Sequence, residues 1–314
     1  MTTRIPIPEF DGDFIRIYNP GGDVYKGLDT PSFQNGKFYD EWITNDFSVL
    51  KDENTWHIVG ITHPRPKGFK NEFDYDVKDI HEAEFQLFHC CAEAKSFKEV
   101  FAEEAFRDCE KILYPQERPG DRPEMWAPHI MKHDGLYQVI YSPQEMRRMV
   151  SGDFADWKKA SSLFRCTDNE ARDPFIFYEN DTFYCLYVEE GQLKYRTSQN
   201  MEEWTEERLF QKPFFLNCDT ESLYGECQIE SPFLFKRNGF YYLLWCFFDN
   251  RNGCYDNRTM VFAADTIEGL YNTAPITMLR GHAPEIVVDD DEECYFLSVY
   301  YPQNGISAVK LKWV

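Results

Sequence analysis

Five positions carry the side chains most suited to chemistry: Asp46, Trp126, Asp173, Glu230 and His282. Each stands just ahead of an apolar, strand-like run, so four polar or ionisable residues open strongly apolar segments. Three of them are carboxylic acids. Carboxyls drawn together at a confined point raise one another's pKa. That condition suits one acid to donate a proton near neutral pH while another stays ionised. Two carboxylates flanking a glycosidic bond are what its hydrolysis requires, and Trp126 offers a flat face to a sugar ring. Taken singly, each residue has a plainer reading: Asp173-Pro174 as a strand-opening turn, Glu230 as a solvated strand end, His282 as a core histidine. Their shared place in a repeat lifts them above it. Glu226 is a further acid close to Glu230 and competes for its role.

The repeat is an apolar run, a polar turn and an aromatic run, and it occurs five times. The segments begin at Asp46, Trp126, Asp173, Glu230 and His282. Their turns are Asp52-Glu-Asn, His133-Asp-Gly, Glu179-Asn-Asp, Arg237-Asn-Gly and Asp289-Asp-Asp, all built from turn-forming residues, so each segment reads as a β-hairpin. The acidic run from Asp289 is a solvated turn and lacks the ligand spacing of a calcium loop. A third strand-like piece follows each hairpin, at 85–92, 145–151, 192–198, 258–265 and 306–314. Five such units predict an all-β chain folded as one five-bladed β-propeller domain over residues 1–314. Closure is expected from the terminal pieces 14–18 and 308–314, because joining the ends removes an exposed sheet edge. Trp157 and Trp204 are expected to pack between blades. Residues 96–112 are the best helical candidate, and 62–80 reads as a long loop inside the first blade.

Composition narrows the partners. Among 314 residues, 54 Asp+Glu outnumber 33 Lys+Arg, a net charge of −21. This excess argues against nucleic acid and anionic membrane surfaces, which need positive contact faces; a small neutral oligosaccharide is compatible. Aromatic residues reach 17 %, which suits pleated, half-buried strands. No apolar signal region or transmembrane run is visible, and the ten cysteines form no Cys-x-x-Cys, so reduced thiols and a cytoplasmic location are expected. No His-Glu-x-x-His is present, and no cofactor is expected from the residues.

Trp126-Ala-Pro, Arg172-Asp-Pro, Glu230-Ser-Pro and Gly281-His-Ala, in this order and spacing, resemble the five-bladed propeller glycoside hydrolases of families 43 and 62 and of families 32 and 68. The resemblance spans roughly residues 40–300. It implies a glycosidase acting on a terminal furanoside, of β-fructofuranoside or α-L-arabinofuranoside type. Asp46, preceded by Asn45, would be the nucleophile of a retaining enzyme or the base of an inverting one. Asp173 would steady the transition state, and Glu230 would be the general acid. Arg172 would hold sugar hydroxyls, with Asn45, Trp126, His129 and His282 as further substrate-binding positions. The histidine matching His282 often lies beside a channel calcium or water. Arg172-Asp-Pro looks more like the fructan-acting families; Trp126-Ala-Pro and Gly281-His282 look more like the arabinan- and xylan-acting one. Two departures stand out: Phe47-Ser48 follows Asn45-Asp46 where fructan enzymes have Pro-Asn-Gly, and Ser231 follows the acid where they have Cys. A propeller that only binds sugar, or a xylosidase or galactosidase of the same fold, would share the architecture.

Overall fold

A computed structural model of the chain describes residues 4–65, 83–113, 122–213, 227–249, 254–271 and 273–314. Glu226, Cys218 and most of the 62–80 stretch lie outside the described residues. Five antiparallel sheets follow one another along the chain as the blades of a β-propeller. Each blade's first strand touches the first strands of both neighbours, so these five line the central channel. They are Trp42–Asp52, Trp126–His133, Arg172–Glu179, Cys227–Arg237 and His282–Val288.

The turn chemistry fixes the hairpins. In blades two, three and four, two residues separate the first strand from the second: Asp134-Gly135, Asn180-Asp181 and Asn238-Gly239. All six have positive φ, which matches the strands' right-handed twist and which Asn, Asp and Gly tolerate. Asp289 opens the fifth hairpin turn, as its composition implied. Apolar clusters fill the space between blades. Trp157 packs on the cluster shared by blades one and two, and Trp204 on that of blades two and three.

The helix expected over 96–112 is confined to Phe97–Val100. Beyond it the chain forms short strands, Arg107–Asp108 and Ile112–Leu113, on the open edge of Gln86–Glu93. Pairing an exposed edge outweighs weak helical periodicity, while Phe97, Val100 and Phe106 are drawn into the core between blades five and one. Among the described residues, no helix is long and apolar enough to cross a membrane.

The termini close the propeller. Ile306–Trp313 forms blade five's third strand, and both Pro8–Phe10 and Ile15–Tyr18 pair with it antiparallel. Ile17 and Tyr18 are almost wholly buried in the cluster joining blades five and one. Ile17→Ala is therefore expected to cost about 2–5 kcal/mol of stability, measured by urea unfolding; a loss below about 0.5 kcal/mol would mean that the N-terminal strand does not hold the closure.

Candidate active site

Every channel-lining strand carries the same irregularity. Two residues bulge from the ladder where the middle strand offers one: Asn45-Asp46, Ala127-Pro128, Asp173-Pro174, Ser231-Pro232 and Ala283-Pro284. The residue before each proline is left-handed, with φ of 40° at Ala127, 60° at Asp173, 50° at Ser231 and 48° at Ala283. Non-glycine residues there are uncommon and cluster at functional sites. In blade one Asp46 takes the place that proline holds in the other four.

The bulges correct the register expected from sequence. Trp126, Glu230 and His282 do share one level, the last paired position before the bulge, but Thr44 and Arg172 complete that level. Asp173 stands one residue further on and Asp46 two. The three acids come from three successive levels and meet because the bulges displace them.

They meet through blade four. The Ser231 hydroxyl donates to Asp46 Oδ2 at 2.7 Å, and the Ser231 N–H donates to Asp173 Oδ2 at 2.9 Å. Arg172 Nη2 donates to Glu230 Oε1 at 3.0 Å and to Gln228 Oε1 at 2.9 Å, while its Nε lies 3.8 Å from Asp173 Oδ2. Arg172 thus ties the acids of blades three and four together. Above them opens a cavity of about 520 Å³, lined among others by Asn45, Asp46, Trp126, Arg172, Asp173 and Glu230. Its size falls in the range of small-molecule sites. Below the bulges the space shrinks to about 30 Å³, room for about one water.

Burial sets the protonation. It pushes Glu230 up to about 8, with Arg172 opposing and the charges of Asp173 and Asp46 adding. Asp173 is pushed up to about 7 by burial, with Arg172 opposing and Asp46 adding. Asp46 keeps 13 % of its side chain exposed. Burial raises it to about 6, against the Ser231 hydrogen bond and with a contribution from Glu84. Near pH 7 this order leaves Glu230 protonated and Asp46 ionised.

Of the expected contacts, Trp126 and Arg172 line the upper cavity, while His282 and His129 lie outside it. His282 is wholly buried, its Nε2 3.9 Å from Asp46 Oδ1, and burial lowers it to about 4. It backs Asp46 and does not line the upper cavity. His129 follows the blade-two bulge, so it faces the narrow space below the acids, against Phe175 at 4.6 Å, and burial lowers it to about 3. It is a channel residue and not one of the upper cavity. Trp126 does line the upper cavity, but the Arg122 guanidinium covers its ring at 5.1 Å from the centroid. Arg172 faces the cavity while gripping Glu230, so it orders the acid as well as lining the site.

A calcium beside His282 would take about six to eight oxygen ligands. Among the described residues no group of three or more His, Cys, Asp or Glu side chains is placed to hold a metal ion. Carbonyl oxygens and water would have to complete such a shell.

Sequence reasoning missed Glu84, which is fully buried in the cavity wall beside Asp46. An acid ahead of the apolar run 85–92 carried the same signal as Asp46. It also missed Asp168, Glu170 and Glu190 along the rim, and the hydroxyl of Ser231.

Five blades around a mouth cavity where carboxyls from three blades converge define a propeller glycosidase. A model of the glycosyl hydrolases family 43 matches residues 106–275, more than half of the chain, and the chain belongs to that family. The match takes in Trp126, Asp173 and Glu230. Solved structures share the fold. An exo-1,5-α-L-arabinanase from a bovine ruminal metagenomic library superposes with a TM-score of 0.58 at 12 % identity, over 86 % of this chain and 93 % of its own. A thermostable family-43 glycoside hydrolase gives 0.59 at 17 %, over 88 % and 90 %. An endo-arabinase from Bacteroides thetaiotaomicron gives 0.58 at 13 %, over 87 % and 95 %. Comparison with curated protein sequences finds no match.

A carboxyl raised by burial holds its proton more tightly folded than unfolded. Its contribution to stability is full below the unfolded pKa and is lost as pH climbs through the folded one. For Asp46 the loss falls between about pH 4 and about pH 6. Asp46→Asn cannot ionise and escapes it. The variant's unfolding temperature, relative to wild type, should be roughly 5–10 °C more favourable at pH 8 than at pH 4, since about two pKa units correspond to ~2.7 kcal/mol and each kcal/mol moves a chain of this order of size by about 2–4 °C. An identical difference at both pH values would contradict the assignment.

Proposed function

We propose that this glycosidase releases a terminal α-L-arabinofuranosyl unit from short oligosaccharides. The observation that carries the reading is the convergence of Asp46, Asp173 and Glu230 from three blades on one cavity, with Glu230 held by Arg172 and Asp46 by Ser231; burial raises Glu230 to about 8 and Asp46 only to about 6. Groups whose environments push their pKa values apart divide naturally into acid and base. Glu230 protonates the leaving oxygen as the glycosidic bond breaks. Asp46 attacks the anomeric carbon or takes a proton from the attacking water. Asp173 accepts the Ser231 N–H of the blade-four bulge; in its ionised form it steadies the developing oxocarbenium ion and tunes Glu230.

Two features favour a terminal unit. The space narrows sharply beneath the acids, so a sugar chain has no path through the channel from that side. Asp46 and Asp173 line both the cavity and the narrow space beneath it, so they stand at its inner end. The arabinofuranosyl choice draws on the family and on two superposed structures described as an exo-1,5-α-L-arabinanase and an endo-arabinase; β-fructofuranosides, xylosides and galactosides are the comparators. The eight described cysteines are free thiols, which suits the reducing cytoplasm we propose as its location.

The test uses leaving-group chemistry. Glu230→Gln should lower turnover of an arabinofuranosyl disaccharide by about 10²–10⁴-fold. It should lower turnover of a 4-nitrophenyl arabinofuranoside much less, because that leaving group departs without a proton. Equal losses on both would remove Glu230 as the acid. Faster cleavage of one of the comparator glycosides by the wild type would reassign the sugar.

A further inference from the structure

Ser231 stands where the three acids meet. It follows Glu230 in the chain and begins the blade-four bulge at φ 50°. Its N–H reaches Asp173 Oδ2, and its hydroxyl reaches Asp46 Oδ2 across the channel mouth, 185 residues away in sequence. The same bulge position holds Ala127 in blade two and Ala283 in blade five. Those blades make the bulge with a methyl group alone, so the fold does not require an oxygen at this point. The hydroxyl is also aimed: it donates to the one acid that stands at the proline position of the bulge.

We propose that Ser231 is a positioning residue for catalysis, its hydroxyl fixing the orientation of the Asp46 carboxylate and favouring its ionised form. The inference rests on the reading of Asp46 as the group that attacks or activates water. A hydrogen bond to one oxygen stops the carboxylate from turning about its Cβ–Cγ bond, so Oδ1 keeps a set direction. The same bond stabilises negative charge on Asp46, because a donated hydrogen bond favours the charged acceptor. A carboxylate held at about the right angle reacts without first losing rotational freedom.

The other charged and titratable groups around Asp46 come from four blades: Glu84 of blade one, Arg172 and Asp173 of blade three, Glu230 and Cys246 of blade four, His282 and Glu285 of blade five. His129 of blade two lies one level deeper. Replacing Ser231 leaves all of these side chains in place, and of them Cys246 also meets the Ser231 side chain; the Asp46 titration itself is therefore the readout.

The experiment compares Ser231→Ala, Ser231→Gly and Ser231→Cys with Asp46→Asn and wild type. Alanine keeps the Cβ, and glycine suits a left-handed backbone, so at least one variant without the hydroxyl should fold; unfolding temperatures check this. On a 4-nitrophenyl glycoside cleaved by the wild type, the alanine and glycine variants should lose roughly 10-fold in kcat with KM within about 2-fold. The acidic limb of their kcat profile should move up by roughly one pH unit, the size expected for one charge-assisted hydrogen bond. Cysteine, a weaker donor, should fall between. The same upward shift should appear without substrate, as the Asp46 titration followed by carbon NMR. An unmoved acidic limb and titration overturn the proposal, even if kcat falls, since that pattern marks a merely structural residue. Wild-type turnover by Asp46→Asn would instead remove the reading of Asp46 on which the proposal rests.

Discussion

Three buried carboxyls, with Glu84 beside them, share one guanidinium. That unequal balance is the constraint on which the rest of the structure depends. Arg172 is bonded to Glu230 and lies near Asp173, and one positive charge cannot compensate every acid at the mouth. Desolvation disfavours the charged form of each, and each carboxylate raises its neighbours. The groups respond by holding protons to different degrees. Glu230, buried and flanked by the other two, holds its proton most tightly; Asp46, partly open to the cavity and hydrogen-bonded by Ser231, most weakly. A gradient of acidity therefore arises from position.

The backbone creates that position through one device used five times. A two-residue bulge interrupts each channel-lining strand, and in four blades it places a non-glycine residue in the left-handed region ahead of proline. Such conformations persist only where the surroundings enforce them. Here the enforcement comes from apolar clusters packed between successive blades and from the N-terminal strands that close blade five. Rigid blades carry the strain at their inner edges. The bulges turn Asp46, Asp173 and the Ser231 amide toward one another.

Much of this was legible in the sequence because its signals are local. Turn residues such as Asp134-Gly135 and Asn238-Gly239 name their own hairpins, and alternating aromatic runs name the strands. Closure by the ends followed from the need to cover sheet edges. The shared register of the acids was not legible. Asp-Pro and Ser-Pro mark an interruption, but whether one residue or two leaves the ladder depends on the partner strand. So Asp46, Asp173 and Glu230 aligned by motif fall at three different levels. His129 lies deeper for the same reason, since a step past the bulge places it in the channel and not at the mouth. Glu84 and Ser231 escaped because their roles come from residues distant in the chain. The helix expected over 96–112 gave way to an edge that only tertiary structure reveals.

Asp46, Asp173 and Glu230 are placed to titrate as one set at the mouth of the channel. Carboxyl carbon NMR on protein labelled at Asp and Glu side chains tests it most directly, with each signal assigned by its Asn or Gln variant. Three carboxyls should titrate well above the ordinary carboxylate range, Glu230 highest and Asp46 lowest, with replacement of any one shifting the other two. Three independent titrations near pH 4, unmoved by one another's replacement, would contradict it.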